Sequence, residues 1–261
     1  MLEKRFLGVQ VAHWILTGIL ALALLLRVWG IGFGLPFSYH YDEHFYINTA
    51  LNLGAGVLNN PPYAPTGLSN MLFAEYATYY VAGRITGAFT SSQSFETAYR
   101  KDATVFYILG RLTSALLGAA AVLAVFLMGL TTFGAKTGLL ASAFLATSFL
   151  FVRDSHYAVP DIAMSGLVTL AVALASIGLR KGNMRYSYAA AVVAGLAVAA
   201  KWTALPVAIP ICWASVMNNQ LQCTGVFAKL CAPQVFLAGA LLLLGFSIGS
   251  PQILLNPEPY L

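Results

Sequence analysis

The stretch LSNMLFAEYATYYVAGRITGAF, Leu68 to Phe89, decides the topology of this chain. If it crosses a membrane, every later loop changes sides. It carries Glu75, Arg84 and tyrosines 76, 79 and 80, a mixture that suits a helix lying in the water–lipid interface better than one in the hydrocarbon core. With this stretch counted as non-spanning there are about seven crossings, and Lys4, Arg5, Lys136, Arg180, Lys181, Arg185 and Lys229 all fall on one face. Eight of the nine acidic residues, all but Glu3, then fall on or near the other face. An extra crossing would move the Arg180 cluster across and separate Asp161 from Asp42. The positive-inside rule therefore favours the flat helix and places the acidic face outside the cytoplasm.

Composition makes the membrane necessary. Of 261 residues, 59% are hydrophobic and 9% charged, and the mean hydropathy is +0.76. Soluble domains carry about a quarter charged residues. The net charge of +5 would suggest nucleic acid in a soluble domain. Here the basic residues sit between apolar runs, where membrane topology puts them, which argues against a nucleic-acid partner. Cys212, Cys223 and Cys231 form no C-x-x-C and have no nearby histidine to complete a zinc pattern. The first apolar run, Val11 to Ile31, follows Lys4 and Arg5 and is long enough for a core that needs ~20 residues, so it reads as a retained helix rather than a cleaved signal.

Outward from the deciding stretch, helix 1 is expected at about 11–31, leaving past Arg27 and Trp29, residues suited to snorkelling and interface anchoring. Residues 32–103 form a long first outer loop. It holds the acidic stretch Tyr39-His40-Tyr41-Asp42-Glu43-His44-Phe45-Tyr46, a helix to about Leu53, the break Asn59-Asn60-Pro61-Pro62 and the interfacial helix. Further spans are expected at about 104–133, 137–152 and 162–179, then as two short helices between Tyr186 and Met217 that meet near Lys201-Trp202, and last at 234–250. The expected fold is all-α, a polytopic membrane helical bundle with interfacial helices in the first outer loop, and residues 1–261 form one transmembrane module. The Ala- and Gly-rich run Ala189 to Ala200 predicts close helix packing.

Three outer loops then contribute to one polar surface. The first brings His40, Asp42, Glu43 and His44, the second Arg153, Asp154, His156 and Asp161, and the third Lys201. Asp42 is either the cap of the helix that follows or a general base at the membrane boundary. Adjacent helical residues point ~100° apart, so Asp42 and Glu43 do not both face one reacting atom; Glu43 is the alternative base or a supporting group. Asp161 is either a cap of the fourth helix or a substrate-orienting carboxylate. Lys201, at a helix break in an apolar stretch, needs a partner. Arg153 is a phosphate contact or an interface anchor. The loop tyrosines 39, 41, 46, 63, 76, 79, 80 and 99 suit an interfacial aromatic belt, while Arg84, Arg100 and Lys101 read as solvated charges.

Taken in order, Asp42-Glu43 after the first helix, Asn60-Pro61-Pro62 before an amphipathic helix, Arg111-Leu-Thr-Ser-Ala, the His156 to Asp161 segment, Gly195-Leu-Ala-Val-Ala-Ala-Lys201 and Ser250-Pro251 resemble the GT-C glycosyltransferases. The nearest branch is similar to the protein O-mannosyltransferases and the aminoarabinose transferases of lipid A. The resemblance implies transfer of a hexose or pentose, with inversion, from a polyprenyl-phosphate donor to a protein, lipid or glycan acceptor. It makes Asp42 the base, with Glu43 second, and gives substrate-binding roles to His44, Arg153, His156, Asp161 and Lys201. In branches that use a divalent cation, Asp161 would hold it; no other cofactor is implied. Relatives of this type continue past the seventh helix, so the chain is expected to be the N-terminal part of a longer enzyme, in a prokaryotic plasma membrane. A transporter subunit or a non-catalytic scaffold are the competing classes. Polar residues clustered at one face, with no repeated half, weigh against transport.

Overall fold

The computed structural model describes residues 2–57, 65–218 and 231–256, with side chains described from residue 10 onward. The Asn59 to Pro62 break, Tyr63, Cys223 and Lys229, and the side chains of Lys4 and Arg5, lie outside the described residues.

The described chain is all-helical: α1 (Leu2–Val28), α2 (Tyr41–Gly54), α3 (Gly67–Thr86), α4 (Ser92–Lys101), α5 (Thr104–Thr132), α6 (Ala135–Thr147), α7 (Phe149–Asp154), α8 (Pro160–Lys181), α9 (Met184–Ala200), a 3₁₀ turn (Trp202–Val207), α10 (Ala208–Asn218), α11 (Pro233–Gly249) and α12 (Gln252–Leu255). It is a membrane helical bundle. Three segments, 10–28, α5 and α8, are long and apolar enough to cross a bilayer, and α9, the 202–218 segment and α11 are shorter apolar helices.

Side-chain contacts define two ends. At one, Arg111 near the start of α5 meets Glu43 of α2, Lys201 after α9 meets Asp161 at the start of α8, and Ser250 after α11 meets Thr66 before α3. At the other, Arg180 near the end of α8 donates to the Thr131 carbonyl near the end of α5, and Asn218 closing α10 donates to Ser187 in the first turns of α9. Gly134, at φ +101°, reverses the chain between α5 and α6 at this second end, a backbone state that L side chains rarely adopt. Arg180 and Lys181 occupy the last turn of α8, where they complement the helix dipole.

Helix α3 lies across the first end. Its N-terminal Gly67 is pressed against the Ala199–Ala200 backbone, while its middle reaches α5, where the Tyr76 hydroxyl donates to the Phe106 carbonyl at 3.0 Å. The boundary of α3 agrees with the interfacial helix expected from the sequence.

Tight packing of α9 on α11 and α8 forms much of the core. Ala190, Ala191, Ala194, Ala197, Val198, Ala199 and Ala200 are buried, and a Cβ at Gly195 would stand 2.0 Å from the Leu242 carbonyl oxygen. Small residues let these backbones touch, as the run Ala189 to Ala200 predicted.

The structure departs from the expectations, or adds to them, at four points. Arg27 does not snorkel: it is fully buried, with Nη1 donating to the Ala23 and Ala146 carbonyls at 2.8 and 3.2 Å and Nη2 to the Leu145 carbonyl at 3.4 Å. It covers carbonyls at the C-terminal end of α6, whose helical partners are missing. The third span is not one helix, because Ser148 adopts an extended conformation and divides α6 from α7. Helix α4 is unforeseen; a capping box between Ser91 and Ser94 starts it. Finally, tyrosines 76, 79, 80 and 99 belong to one packed aromatic cluster. They pack edge to face with Phe89, Phe95 and Phe106, joining α3, α4 and α5.

Candidate active site

The chain reaches the site through α2. His40, extended at φ −99° and ψ 118°, caps this helix by accepting the Asp42 N–H on Nδ1 at 3.3 Å. The cap is therefore His40, and Asp42 stands in the first turn with its side chain exposed. Its carboxylate has no ion pair among the described residues. Half-buried His40 and exposed His44 flank it.

Glu43, one residue on, points the opposite way. It is fully buried: Oε1 accepts from Arg111 Nε at 2.8 Å and from the Ala158 N–H at 2.9 Å, and Oε2 accepts from Arg111 Nη2 at 2.8 Å. The Ser38 hydroxyl adds a longer contact to Oε2. Arg111 spends Nη1 on the Ile31 and Phe33 carbonyls, at 2.8 and 2.9 Å. One buried pair thus joins the segment after α1, α2, α5 and the α7–α8 junction. Both charges are desolvated, and this fork-to-fork geometry with every carboxylate oxygen occupied is what makes such a pair tolerable. Glu43, the alternative base in the sequence, has its oxygens turned away from the cleft that Asp42 lines.

That cleft is a concavity of about 980 Å³ at the first end of the bundle, lined by His40, Asp42, His44, Asn48, Tyr107, Lys201 and Trp202 among others. Lys201 enters from the extended residue that ends α9, and its Nζ lies 2.7 Å from Asp161 Oδ1, with both side chains partly exposed. Asp161 follows Pro160 inside the first turn of α8, whose cap is Val159. The Asp161 carboxylate does not cap; it provides the partner that Lys201 needed.

Arg153 and His156 lie elsewhere. They line a smaller notch of about 380 Å³ with Trp29, Arg111 and Tyr157. His156 holds the Val152 and Trp29 carbonyls at 2.8 and 2.9 Å, and Arg153 pairs with its neighbour Asp154 at 2.7 Å. Tyr157 stands between notch and cleft: its ring lies tilted against His40 with centroids 4.8 Å apart, and the Arg111 guanidinium sits over it at 5.6 Å. The sequence placed all these polar residues on one surface, whereas the structure divides them into two concavities.

Sequence reasoning missed Asn48 and Asn52, which follow His44 at four-residue intervals along α2. The signal was present as polar groups on one helical line. Asn48 lies 2.9 Å from His44 Nδ1 and accepts the Tyr99 hydroxyl at 2.7 Å. Burial pushes the Tyr99 phenol up to about 12. Burial also raises the Glu75 carboxyl, against a smaller opposing effect of the Thr113 hydroxyl that donates to it at 3.1 Å.

As for a divalent cation, Asp161 is engaged by Lys201, and no group of three His, Cys, Asp or Glu side chains converges among the described residues. This donor set does not fit a protein-held metal ion.

The bundle brings an exposed carboxylate and a paired lysine to an open cleft at one end, and its family makes it a membrane glycosyltransferase of the GT-C type. The chain belongs to the dolichyl-phosphate-mannose-protein mannosyltransferase family, whose sequence profile matches residues 108–252, more than half its length. The matched span includes Arg111, Arg153, His156, Asp161 and Lys201; α2, with Asp42 and Glu43, precedes it. No curated protein matches the chain.

Proposed function

We propose that the chain transfers a hexose or pentose from a polyprenyl-phosphate donor to an acceptor, with inversion, and that Asp42 is the base. The observation that carries this is the opposed orientation of two adjacent acids: Glu43 is saturated inside the protein, while Asp42 faces the cleft that also receives Lys201. The acceptor O–H or N–H proton passes to the Asp42 carboxylate as the acceptor atom bonds to the anomeric carbon. The bond from that carbon to the phosphate oxygen breaks, and its electron pair leaves with the polyprenyl phosphate. The leaving group is already anionic and stable, so no second carboxylic acid is required, unlike the pair in most glycosidases. Lys201, held by Asp161, offers a cation to the departing phosphate.

Orientation follows from charge. Arg180, Lys181 and Arg185 lie at the end of the bundle opposite the cleft, which by the positive-inside rule supports a cleft outside the cytoplasm, with residues 32–103 as the loop that carries the base. In this reading Arg153 and His156, which line the separate notch at the α1 and α7 ends, bind the lipid part of the donor.

The test is transfer of radiolabelled sugar from a panel of polyprenyl-phosphate donors in membranes containing the chain. Asp42→Asn is expected to lower transfer by about 10²- to 10⁴-fold, the range for a general base, with unchanged amounts of folded protein. Glu43→Gln is expected to deplete folded protein more than activity per folded molecule. Equal transfer by wild type and Asp42→Asn would remove Asp42 from the mechanism.

A further inference from the structure

Helix α2 is a ridge with a concavity on each side. Asn48 and Asn52 line both the Asp42 cleft and a second groove, of about 840 Å³, between α2, α3 and α4. None of the roles assigned above uses this groove.

Its chemistry is specific. Phe73 and Tyr80 from α3 and Tyr99 from α4 line it with aromatic side chains, while Asn48, Asn52 and Gln93 supply amides that both donate and accept. The charged residues at its rim, Glu96 and Arg100, are paired with each other at 2.7 Å. An anionic headgroup therefore finds no spare cation there, and an acyl chain would strand the amides without partners. Rings for apolar C–H faces, interleaved with two-way hydrogen-bonding groups, match a polyhydroxylated ring. The Tyr99 hydroxyl, Asn48 and His44 form a continuous line of contacts over the ridge into the Asp42 cleft.

We propose that the α2–α3–α4 groove is an acceptor subsite for carbohydrate, so that the acceptor is an oligosaccharide: one sugar presents its hydroxyl in the Asp42 cleft and the next rests across the ridge against Phe73 and Tyr80. This rests on the transferase function proposed above for the Asp42 cleft.

The experiment has two arms on the full chain in detergent. In the first, without donor, saturation-transfer NMR is run with tetrasaccharides of glucose, N-acetylglucosamine and mannose, with a serine- and threonine-rich decapeptide, and with lysophosphatidylglycerol. Saturation of tetrasaccharide ring protons is expected, lost in Phe73→Ala and Tyr80→Ala and weakened in Asn52→Ala and Gln93→Ala, two exposed positions whose truncation spares the core. Asp42→Asn should still bind. Binding of the peptide or the lysolipid alone, or tetrasaccharide binding equal in all variants, overturns the proposal.

In the second arm, donor is added and the acceptor KM is measured. Phe73→Ala is expected to raise KM about three- to tenfold, the loss one ring contact carries, with kcat within about twofold. The two proposals fail separately. If Asp42→Asn abolishes transfer while groove variants leave glycan binding and KM unchanged, the subsite falls and the transferase stands. If glycan binding follows the groove variants but Asp42→Asn transfers normally, the subsite stands and the assigned base falls.

Discussion

Thr66 and Ser250, 184 positions apart in the chain, share a buried 2.8 Å hydrogen bond between their hydroxyls, and the Thr66 N–H donates to the same Ser250 oxygen at 3.0 Å. Gln252 and Asn70 complete the cluster: Gln252 Oε1 accepts from Thr66 and Asn70 at 2.6 and 2.9 Å, and its Nε2 donates to Asn70 Oδ1 at 2.6 Å. This latch ties α3 to the end of α11. Gln252→Leu leaves buried groups unpaired, at a cost of about 1–3 kcal/mol. Lower thermal midpoints in detergent are expected, together with faster tryptic cleavage at exposed Arg84 as α3 lifts; an unchanged cleavage rate would show that the latch does not hold the helix.

The Glu43–Arg111 pair predicts non-additive mutations. Breaking a buried pair from one side costs about 3–5 kcal/mol because the other charge is left alone. Glu43→Leu and Arg111→Met should each sharply reduce folded protein, while the double variant should recover part of the loss. A double variant worse than both singles would mean that the contacts to Ala158, Ile31 and Phe33 matter more than the pair itself.

Lys201 and Asp161 should behave differently from that pair. Both are partly exposed, so the bridge contributes about 0–1 kcal/mol and either variant should fold. Lys201 lines the cleft, whereas Asp161 holds it from behind. Lys201→Met is expected to raise the donor KM by more than Asp161→Asn does, measured as initial rates over a donor titration.

A pH effect follows from Glu75. Burial raises its carboxyl above the ordinary value of 4.5 in the folded protein. Between 4.5 and the raised value the folded state holds more protons than the unfolded chain, so stability falls as pH rises through that window. Glu75→Gln removes this slope. Thermal midpoints measured from pH 4 upward should show wild type losing ground to the variant, and parallel curves would refute the assignment.

Close packing of α9 on α11 supplies a paired control. Gly195→Ala places a methyl against the Leu242 backbone, which cannot rotate away, and should cost about 1–3 kcal/mol. Gly239→Ala, on α11 with open space around it, should be neutral or slightly stabilising. Detergent unfolding midpoints would separate the two.

The fold was readable because apolar length, helix breaks and charge asymmetry act locally. Lys201 at the break between α9 and the 3₁₀ turn, and the extent of α3, were both legible for that reason. Side-chain partners were not. Glu43 and Asp42 are adjacent in sequence, and only the meeting of α2 with Arg111, 68 positions away, makes one a buried support and leaves the other free. Arg27 has the same history: its position near a helix end suggested an anchor, but its acceptors lie on α6. Helix α4 was hidden because its ten residues, Ser92–Lys101, are mostly polar and it is defined by a local cap and two aromatic side chains.

The burial of Arg27 has a consequence for the order of biosynthesis. Its acceptors on α6, the Leu145 and Ala146 carbonyls, are 118 and 119 positions later in the chain. At about 5–20 residues per second, α1 emerges from the ribosome roughly 6–24 s before these groups exist. Throughout that interval a guanidinium at the end of the first helix has only the Ala23 carbonyl from its own segment to satisfy it. The burial of Arg27 is therefore a late event, which waits for α6 and makes the final seat of the first helix depend on chain made long after it.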